Sequence, residues 1–230
     1  MKKLVIGILF SPAIARKITR LLVKIHQMSY SYLGSFASVS EGGLHPKHRL
    51  IGYHEFFVDN VSEGDMVLDV GCSNGALLKD VAMKTNNAVV GVEISKDNVK
   101  SAKTSLSSLP NAEIVQGDIW GFKDDRHFDT VMLSNVLEHL DRRPELLRHL
   151  NEKFRPNKFL IRVPMFEREW LVPYKRELGI EWRLDSTHKT EYTEDAFRDE
   201  LAKANLYIQK IIFKWGEMYV VAVPSVQGTH

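Results

Sequence analysis

Three acidic residues, Asp69, Glu93 and Asp118, stand at or just after the ends of short runs rich in valine and isoleucine. Such runs are typical of strands that are buried on both faces of a parallel sheet. In an open α/β sheet the carboxyl ends of the strands lie along one edge, and ligands bind at that edge. An acid placed like Glu93 can accept hydrogen bonds from both hydroxyls of a ribose. The pattern therefore predicts a ligand-binding crevice at this edge.

A turn of small residues separates the first of these strands from a helical pattern that begins at Ala76. Gly71 and Gly75 allow backbone angles that residues with a Cβ atom resist, and they let a ligand approach the main chain closely. The helix that follows brings its N-terminus to the same place. A dinucleotide-binding turn would read G-x-G-x-x-G, but Ser73 and Ala76 replace two of its glycines. The turn therefore favours a ligand other than a dinucleotide.

The D-x-G-x-x-x-G spacing that starts at Asp69 resembles the first motif of the class I S-adenosylmethionine-dependent methyltransferases. The family usually has a further glycine where this chain has Ser73. The resemblance implies that the turn holds the methionine part of S-adenosylmethionine, that Glu93 binds its ribose and Asp118 its adenine, and that S-adenosylhomocysteine is the product. The expected cofactor-binding residues are Asp69, Gly71, Cys72, Ser73, Gly75, Glu93, Ile94, Asp118, Ile119, Ser134 and Asn135.

A second segment, S-N-V-L-E-H-L from Ser134 to Leu140, follows the fourth predicted strand. It resembles the N-V-L-E-H segment of small-molecule methyltransferases, which faces the sulfonium and the substrate. Nucleic-acid amino methyltransferases often carry a proline–aromatic motif there, and its absence argues against methylation of a base nitrogen. His139 is a candidate base, and a purely structural role is the alternative.

A polar insertion of residues 164–192 lies between the fifth strand and the next predicted helix. Insertions of this length often build a substrate site. His188 is the strongest candidate for a base that takes a hydroxyl proton, because imidazole titrates near neutral pH. We expect no bound metal, although Asp185, His188 and Glu191 leave a metal site open as an alternative. The candidate substrate-binding residues are Arg162, Trp170, Arg183, Asp185, Glu191 and Tyr192.

Strands alternate with helices through residues 61–224, which predicts a parallel sheet. The last two strands are joined at Gly216-Glu217 and add an antiparallel hairpin. This combination resembles the Rossmann-like seven-stranded methyltransferase sheet, so the predicted fold class is α/β, with helices on both faces and an N-terminal helical arm. We predict a basic arm and lid at 1–60, a methyltransferase domain at 61–224 and a tail at 225–230.

The N-terminal region is basic: residues 1–50 carry eight Lys or Arg and one acid. Ser11-Pro12 is typical of a helix start, and apolar residues then recur at helical spacing to Met28. This helix either packs on the domain or contacts a membrane surface or a partner. Residues 29–46 are predicted to form a loop able to close as a lid, and residues 46–61 a second helix.

Composition limits the compartment of the protein. The single cysteine, Cys72, excludes an intrachain disulfide and suits a reducing cytosol. No apolar stretch is long enough to cross a bilayer, and Leu4–Phe10 only weakly resembles the core of a signal peptide. We therefore expect a cytoplasmic protein, with peripheral contact at the inner membrane face through residues 11–28 as an open alternative.

These observations predict a methyltransferase that acts on an oxygen of a small polar acceptor, such as a sugar-containing precursor of a cell-surface glycan. Two alternatives stay open: a lipid or quinone O-methyltransferase docked by the N-terminal helix, and a non-catalytic module that binds the cofactor. No nucleic-acid partner is expected, because the basic arm lacks interleaved aromatic residues. The sequence does not determine the oligomeric state.

Overall fold

The computed structural model describes residues 11–42 and 45–225, so Leu4–Phe10 and the predicted tail beyond Ser225 lie outside the described residues. The helices are α1 (Pro12–Ser40), α2 (Lys47–Ile51), α3 (Tyr53–Asn60), α4 (Ala76–Lys84), α5 (Lys96–Ser105), α6 (Arg143–Phe154), α7 (Leu171–Glu177) and α8 (Glu194–Lys203). The strands are β1 (Val67–Val70), β2 (Val89–Glu93), β3 (Ala112–Gln116), β4 (Thr130–Ser134), β5 (Lys158–Pro164), β6 (Leu206–Lys214) and β7 (Glu217–Pro224).

The strands form one sheet in the order β3-β2-β1-β4-β5-β7-β6. Strands β1 to β5 pair in parallel, and β7 runs antiparallel to both β5 and β6. This topology confirms the predicted Rossmann-like α/β fold with its closing hairpin. The hairpin turn consists of Trp215 and Gly216, which have φ values of 55° and 75°. Glu217 therefore belongs to β7, and the predicted turn at Gly216-Glu217 is displaced by one residue.

The sheet separates two apolar clusters, because successive side chains of a strand point to opposite faces. Leu68 and Val70 of β1 belong to the cluster covered by α6 and α8. Val67 belongs to the other cluster, which α3, α4 and α5 cover. Phe57 of α3 is fully buried there, and burial of such a side chain stabilises the fold by roughly 1.5–3 kcal/mol. The predicted helices on both faces are thus present.

Helix α1 continues to Ser40, so the predicted loop is wrong for residues 29–40. The hydroxyls of Ser35 and Ser38 donate to the carbonyls of Ser31 and Gly34, one turn earlier. These local bonds satisfy the serine side chains without breaking the helix. Among the described residues, no helix combines the length and the apolar character that a bilayer span requires.

The predicted helix over residues 46–61 is divided into α2 and α3, because Gly52 adopts a left-handed conformation and ends α2. The chain forms two compact units. One contains the described residues up to Gly52 together with Glu169–Arg183, and the other contains Tyr53–Arg168 and the residues from Leu184 onward. This division differs from the predicted boundary at residue 60 because α3 packs in the core of the sheet unit.

Candidate active site

The turn between β1 and α4 has backbone angles that side chains disfavour at three positions. The φ values are 71° at Gly71, 50° at Ser73 and 77° at Gly75. A Cβ atom at Gly71 would lie 2.8 Å from Cγ2 of Val136. Gly71 is therefore required both for its conformation and for the close packing of this turn against the segment after β4.

Asp69 of β1 is 2% exposed, and its Oδ2 atom has no hydrogen-bond partner. Burial, with a contribution from the Glu93 carboxylate, raises the pKa of Asp69 to about 8. A buried oxygen without a partner is costly, because its water has been removed and not replaced. The site therefore has an acceptor that a cationic or hydrogen-bonding ligand group can satisfy.

Cys72 lies in the same turn and is buried. Its sulfur packs closely on β2, since a Cβ atom at Gly91 would lie 2.6 Å from Sγ. Burial raises the pKa of the Cys72 thiol, and the charges of Asp69 and Glu93 add to the effect. Because the thiolate is the reactive form, Cys72 is suited to packing and not to nucleophilic chemistry.

Glu93 ends β2 and connects it to the glycine turn. Its Oε2 accepts a hydrogen bond of 2.9 Å from the Ser73 N–H, and its Oε1 accepts one of 2.8 Å from the Ser95 N–H. The carboxylate therefore orders the left-handed conformation of Ser73. This is how the chain accommodates serine where the family motif has glycine.

Asp118 follows β3, which pairs with β2. Its side chain is exposed and accepts a hydrogen bond of 3.0 Å from the Trp120 N–H, which starts a short 3-10 turn. Ile119 in this turn is buried, whereas Ile94 after β2 is 70% exposed. Asp69, Glu93 and Asp118 thus lie at the ends of three adjacent strands, as the sequence predicts.

The segment after Ser134 carries further buried polar atoms that have no partner. Asn135 has φ 55°, and its Oδ1 atom is buried without a hydrogen bond. Glu138 is fully buried in the 3-10 turn Leu137–His139, and neither of its carboxylate oxygens has a hydrogen-bond partner. Burial raises the pKa of Glu138 to about 7. Glu138 is absent from the predicted site residues, although an acid inside an apolar segment is a pattern that indicates a role.

His139 and His188, distant in the sequence, are brought together by the fold. Their ring centroids lie 4.7 Å apart in an edge-to-face arrangement. Nδ1 of His139 lies 2.9 Å from Oγ1 of Thr187, which also contacts Asp185 at 2.8 Å. Burial, with a further contribution from His188, lowers the pKa of His139. The neutral imidazole that results can accept a proton or bind a metal ion.

Glu191 holds His188 in place. Its Oε1 lies 3.0 Å from His188 Nδ1, and it forms an ion pair with Arg168. Although burial acts in the opposite direction, bonds from His188, the Leu184 N–H and Arg168 hold the pKa of Glu191 below its usual value. Glu191 is therefore an acceptor, and the proton of the imidazole stands on Nδ1.

Two neighbouring segments fix the position of this cluster. The N–H of Lys189 donates to the carbonyl oxygen of Glu138 at 2.7 Å, which ties the His188 segment to the turn after β4. On the other side, Arg168 packs against the β6–β7 turn, where a Cβ atom at Gly216 would lie 2.6 Å from Cβ of Arg168. The histidine pair is thus attached to the sheet at two places.

Several predicted substrate-binding residues have partners inside the fold. Arg162 is buried and forms a bidentate pair with Glu217, with both N–O distances 2.8 Å. Tyr192 is also buried, and its hydroxyl donates to Glu200 at 2.7 Å. Arg162 lies within β5, where its side chain pairs with the neighbouring strand β7. These side chains, like Glu191, support the site from inside.

Two other predicted substrate-binding residues belong to the N-terminal unit. Trp170 precedes α7 and is 74% exposed. Arg183 pairs with Glu181 at 2.7 Å. No helix is predicted within the polar insertion, yet α7 lies there. Among the six predicted substrate-binding residues, Asp185 is the one that is both exposed and close to the histidine pair, through Thr187.

Residues 67–157 match a protein family described as a methyltransferase domain. This segment contains the glycine turn, the three strand-end acids and the histidine-bearing turn after β4. This segment is therefore similar to the methyltransferase domain of the class I S-adenosylmethionine-dependent methyltransferases. S-adenosylmethionine is the cofactor of this family.

Two curated relatives are similar over part of the chain. One is the probable (S)-tetrahydroprotoberberine N-methyltransferase 2 of Papaver bracteatum, 29% identical over 92 residues, which are 38% of this chain and 26% of that protein. The other is the mitochondrial ubiquinone biosynthesis O-methyltransferase of Schizosaccharomyces pombe, 31% identical over 106 residues, 44% of this chain and 38% of that protein. The chain therefore spans less than half the length of these methyltransferases.

A solved structure is similar over most of the chain. It is a chain of the complex between the Haloferax volcanii Trm112 methyltransferase activator and a putative methyltransferase. The TM-score is 0.64 at 16% identity, covering 85% of this chain and 97% of that chain. At this identity the similarity supports the fold alone.

Proposed function

We propose that this protein transfers the methyl group of S-adenosylmethionine to an oxygen of a small polar acceptor. The observation that carries the proposal is the position of the buried polar atoms without partners. Within the described residues, those of Asp69, Asn135 and Glu138 lie at the carboxyl ends of the adjacent strands β1 and β4. Ligands bind at this edge in open α/β sheets.

The cofactor side of the site fits a charged sulfur nucleoside. Asp69 offers an acceptor without a partner to a cationic group, the glycine turn offers exposed backbone, and Glu93 and Asp118 offer carboxylates to ribose and adenine. When bound, S-adenosylmethionine supplies an electrophilic methyl group. Calorimetric titration of the purified protein with S-adenosylhomocysteine tests this side, and a folded protein that binds none would contradict the proposal.

The acceptor side is formed by the histidine pair. The acceptor oxygen forms a bond to the methyl carbon as the carbon–sulfur bond breaks, and the hydroxyl proton passes to an imidazole nitrogen of His139 or His188. The sulfur keeps the electron pair of the broken bond. Alignment of the reacting groups alone is worth roughly 7–11 kcal/mol of the barrier. A neutral His139 is suited to accept the proton, because its pKa is lowered by burial.

We propose a sugar-containing acceptor, such as a precursor of a cell-surface glycan. The cluster carries an exposed carboxylate, Asp185, and the hydroxyl of Thr187, and both suit the hydroxyls of a sugar. Labelled cofactor should transfer its methyl group to sugar nucleotides or glycolipids. Turnover of a quinone alone would contradict this acceptor, and tight cofactor binding with no acceptor in any extract would favour a non-catalytic module.

A second candidate, a membrane-docked lipid O-methyltransferase, is favoured by helix α1. Large apolar side chains that are exposed recur along one face of this helix at spacings of three and four residues. The stripe comprises Ile18, Leu21, Leu22, Ile25, Met28, Tyr32, Leu33, Phe36 and Val39. Arg16, Lys17, Arg20 and Lys24 accompany it, and no acid occurs in α1. An apolar face beside basic residues is typical of helices that lie in an anionic membrane surface.

Vesicle flotation separates the two candidates. On this second candidate, the protein should float with vesicles that contain phosphatidylglycerol, and Leu22→Ser with Phe36→Ser should abolish flotation. Tyr30→Ser is the matched control, because Tyr30 is also exposed but lies outside the stripe by helical periodicity. Equal flotation of both variants would remove the membrane candidate.

A further inference from the structure

We propose that Glu138, His139 and His188 form a binding site for one divalent transition-metal ion. One ligand atom from each of these residues lies within 4.8 Å of the other two. Ligands bound to an ion at about 2.0–2.2 Å stand up to roughly 4.4 Å apart. Small rotations of the side chains therefore bring the three atoms to coordination distance.

The carboxylate is the first reason to assign an ion here. Glu138 is fully buried, and neither of its oxygens has a hydrogen-bond partner. A buried carboxylate needs a compensating charge or donor, and a metal ion beside it supplies one. Its main chain is already fixed, because the Glu138 carbonyl oxygen accepts the Lys189 N–H.

The second reason is that each histidine is oriented by an oxygen behind it. His188 Nδ1 faces the Glu191 carboxylate, and His139 Nδ1 faces the Thr187 hydroxyl, whose own hydrogen points to Asp185. Both imidazole protons therefore stand on Nδ1, which puts both lone pairs on Nε2. A carboxylate or hydroxyl behind the ring is the usual outer support of a metal-binding histidine.

The ligand set identifies the class of ion. Two imidazole nitrogens and one carboxylate suit Zn²⁺, Mn²⁺ or Fe²⁺, with positions left open for a substrate. Mg²⁺ prefers oxygen ligands and keeps several waters. At this place the ion holds the acceptor hydroxyl, lowers its pKa, and lets its proton leave to solvent while the oxygen takes the methyl group. This inference rests on the proposed function, but the metal ion takes the place of the imidazole base in activating the acceptor hydroxyl.

The experiment is metal titration of the full chain after treatment with a chelator. Mn²⁺ binding is followed by loss of the free-ion electron paramagnetic resonance signal, and Zn²⁺ binding by calorimetry. We expect one equivalent of ion, and at least tenfold weaker binding for Glu138→Gln and for His188→Ala. Thr187→Val, which removes only the support behind His139, should weaken binding about tenfold.

His127→Ala is the matched control, since His127 lies outside the cluster and should leave ion binding unchanged. Circular dichroism melting verifies that each variant folds. No stoichiometric binding by the wild type, or equal binding by Glu138→Gln, overturns the metal site. Methyl transfer that is unchanged in excess chelator also overturns it while the proposed function stands. An ion-loaded protein that binds cofactor but methylates nothing supports the site and contradicts the function instead.

Discussion

The Asp69 carboxyl group is held in a state that a ligand is expected to change. Without a cationic partner, burial raises the pKa of this group to about 8, so it is protonated at neutral pH. Binding of a cation favours the carboxylate, so the proton must leave when the cofactor binds. Proton release therefore reports whether Asp69 contacts the cofactor.

We predict that S-adenosylmethionine binding at pH 7 releases close to one proton. Calorimetry in two buffers with different ionisation enthalpies measures this number. The release should disappear at pH 9, where Asp69 is already ionised, and in Asp69→Asn at any pH. Release that persists in Asp69→Asn would show that another group titrates.

The same residue affects stability in a definite direction. The pKa of Asp69 is about 8 in the folded state, against 3.8 as the ordinary value. The folded state is therefore favoured at low pH, and this contribution is lost as the pH rises from about 4 to about 8. We predict that Asp69→Asn is more stable than the wild type by roughly 2–4 kcal/mol at pH 8, with no difference near pH 4. Urea unfolding at both pH values measures it, and a constant difference would contradict the assignment.

Glu93 combines a binding role with a structural one. We predict that Glu93→Ala weakens S-adenosylhomocysteine binding at least tenfold and costs about 1–3 kcal/mol of stability, because the N–H groups of Ser73 and Ser95 lose their acceptor. Glu93→Gln keeps one acceptor oxygen and should recover part of the stability, because its NH2 group cannot accept from the second N–H. Calorimetry and urea unfolding of both variants separate the two roles, and unchanged affinity would contradict the ribose assignment.

At the scale of the elements, two turns that end neighbouring strands are packed against each other. Gly71 after β1 faces Val136 after β4, and a methyl group on Gly71 has no room. We predict that Gly71→Ala destabilises the fold by roughly 1–3 kcal/mol through its φ of 71° and this contact. Gly64→Ala is the control, because nothing lies within 4 Å of its added methyl group.

A double variant separates the two causes. Adding Val136→Ala removes the contact but leaves the backbone strain, so it should recover part of the loss, with a coupling of about 0.5–3 kcal/mol. Urea unfolding of the single and double variants gives this coupling. A coupling of zero would show that strain alone acts.

The sequence predicts elements well where one periodic pattern decides. Strands β1, β2, β4 and β5 are buried runs between turn residues, whereas β3 buries only Ile114. Their parallel pairing follows from the alternation with helices. It predicts poorly where two signals compete: serine and glycine suggest a loop at 29–40, but the apolar spacing continues through Phe36 and Val39 in one helix. The histidine cluster is more difficult to predict from the sequence. His139 and His188 come together only through contacts between residues that are distant in the sequence, such as the hydrogen bond from the Lys189 N–H to the Glu138 carbonyl oxygen.

At the scale of the whole molecule, charge is unevenly distributed. The net charge is +2, yet residues 1–50 carry eight basic residues and one acid. Helix α1 places four of those basic residues beside its exposed apolar stripe. Electrostatic attraction to anionic lipid is screened by salt, whereas apolar insertion is not.

On the membrane-docked candidate, we predict that flotation with phosphatidylglycerol vesicles weakens several-fold between 0.05 and 0.5 M salt, where the Debye length falls from roughly 14 to 4 Å. Vesicles of neutral lipid are the control and should show weak binding without this salt dependence. Binding to anionic vesicles that does not respond to salt would exclude a role for the basic residues.

The contact between Gly216 and Arg168 links the β6–β7 turn to the proposed acceptor site. Arg168 pairs with Glu191, which orients His188, so a displacement of the β6–β7 turn would reach the proposed acceptor site through these two residues. Clones from a library randomised at Gly216 should therefore lose turnover more often than they lose solubility. A turn outside the proposed acceptor site would then be under selection for catalysis, and glycine would be retained there because of its contact with Arg168.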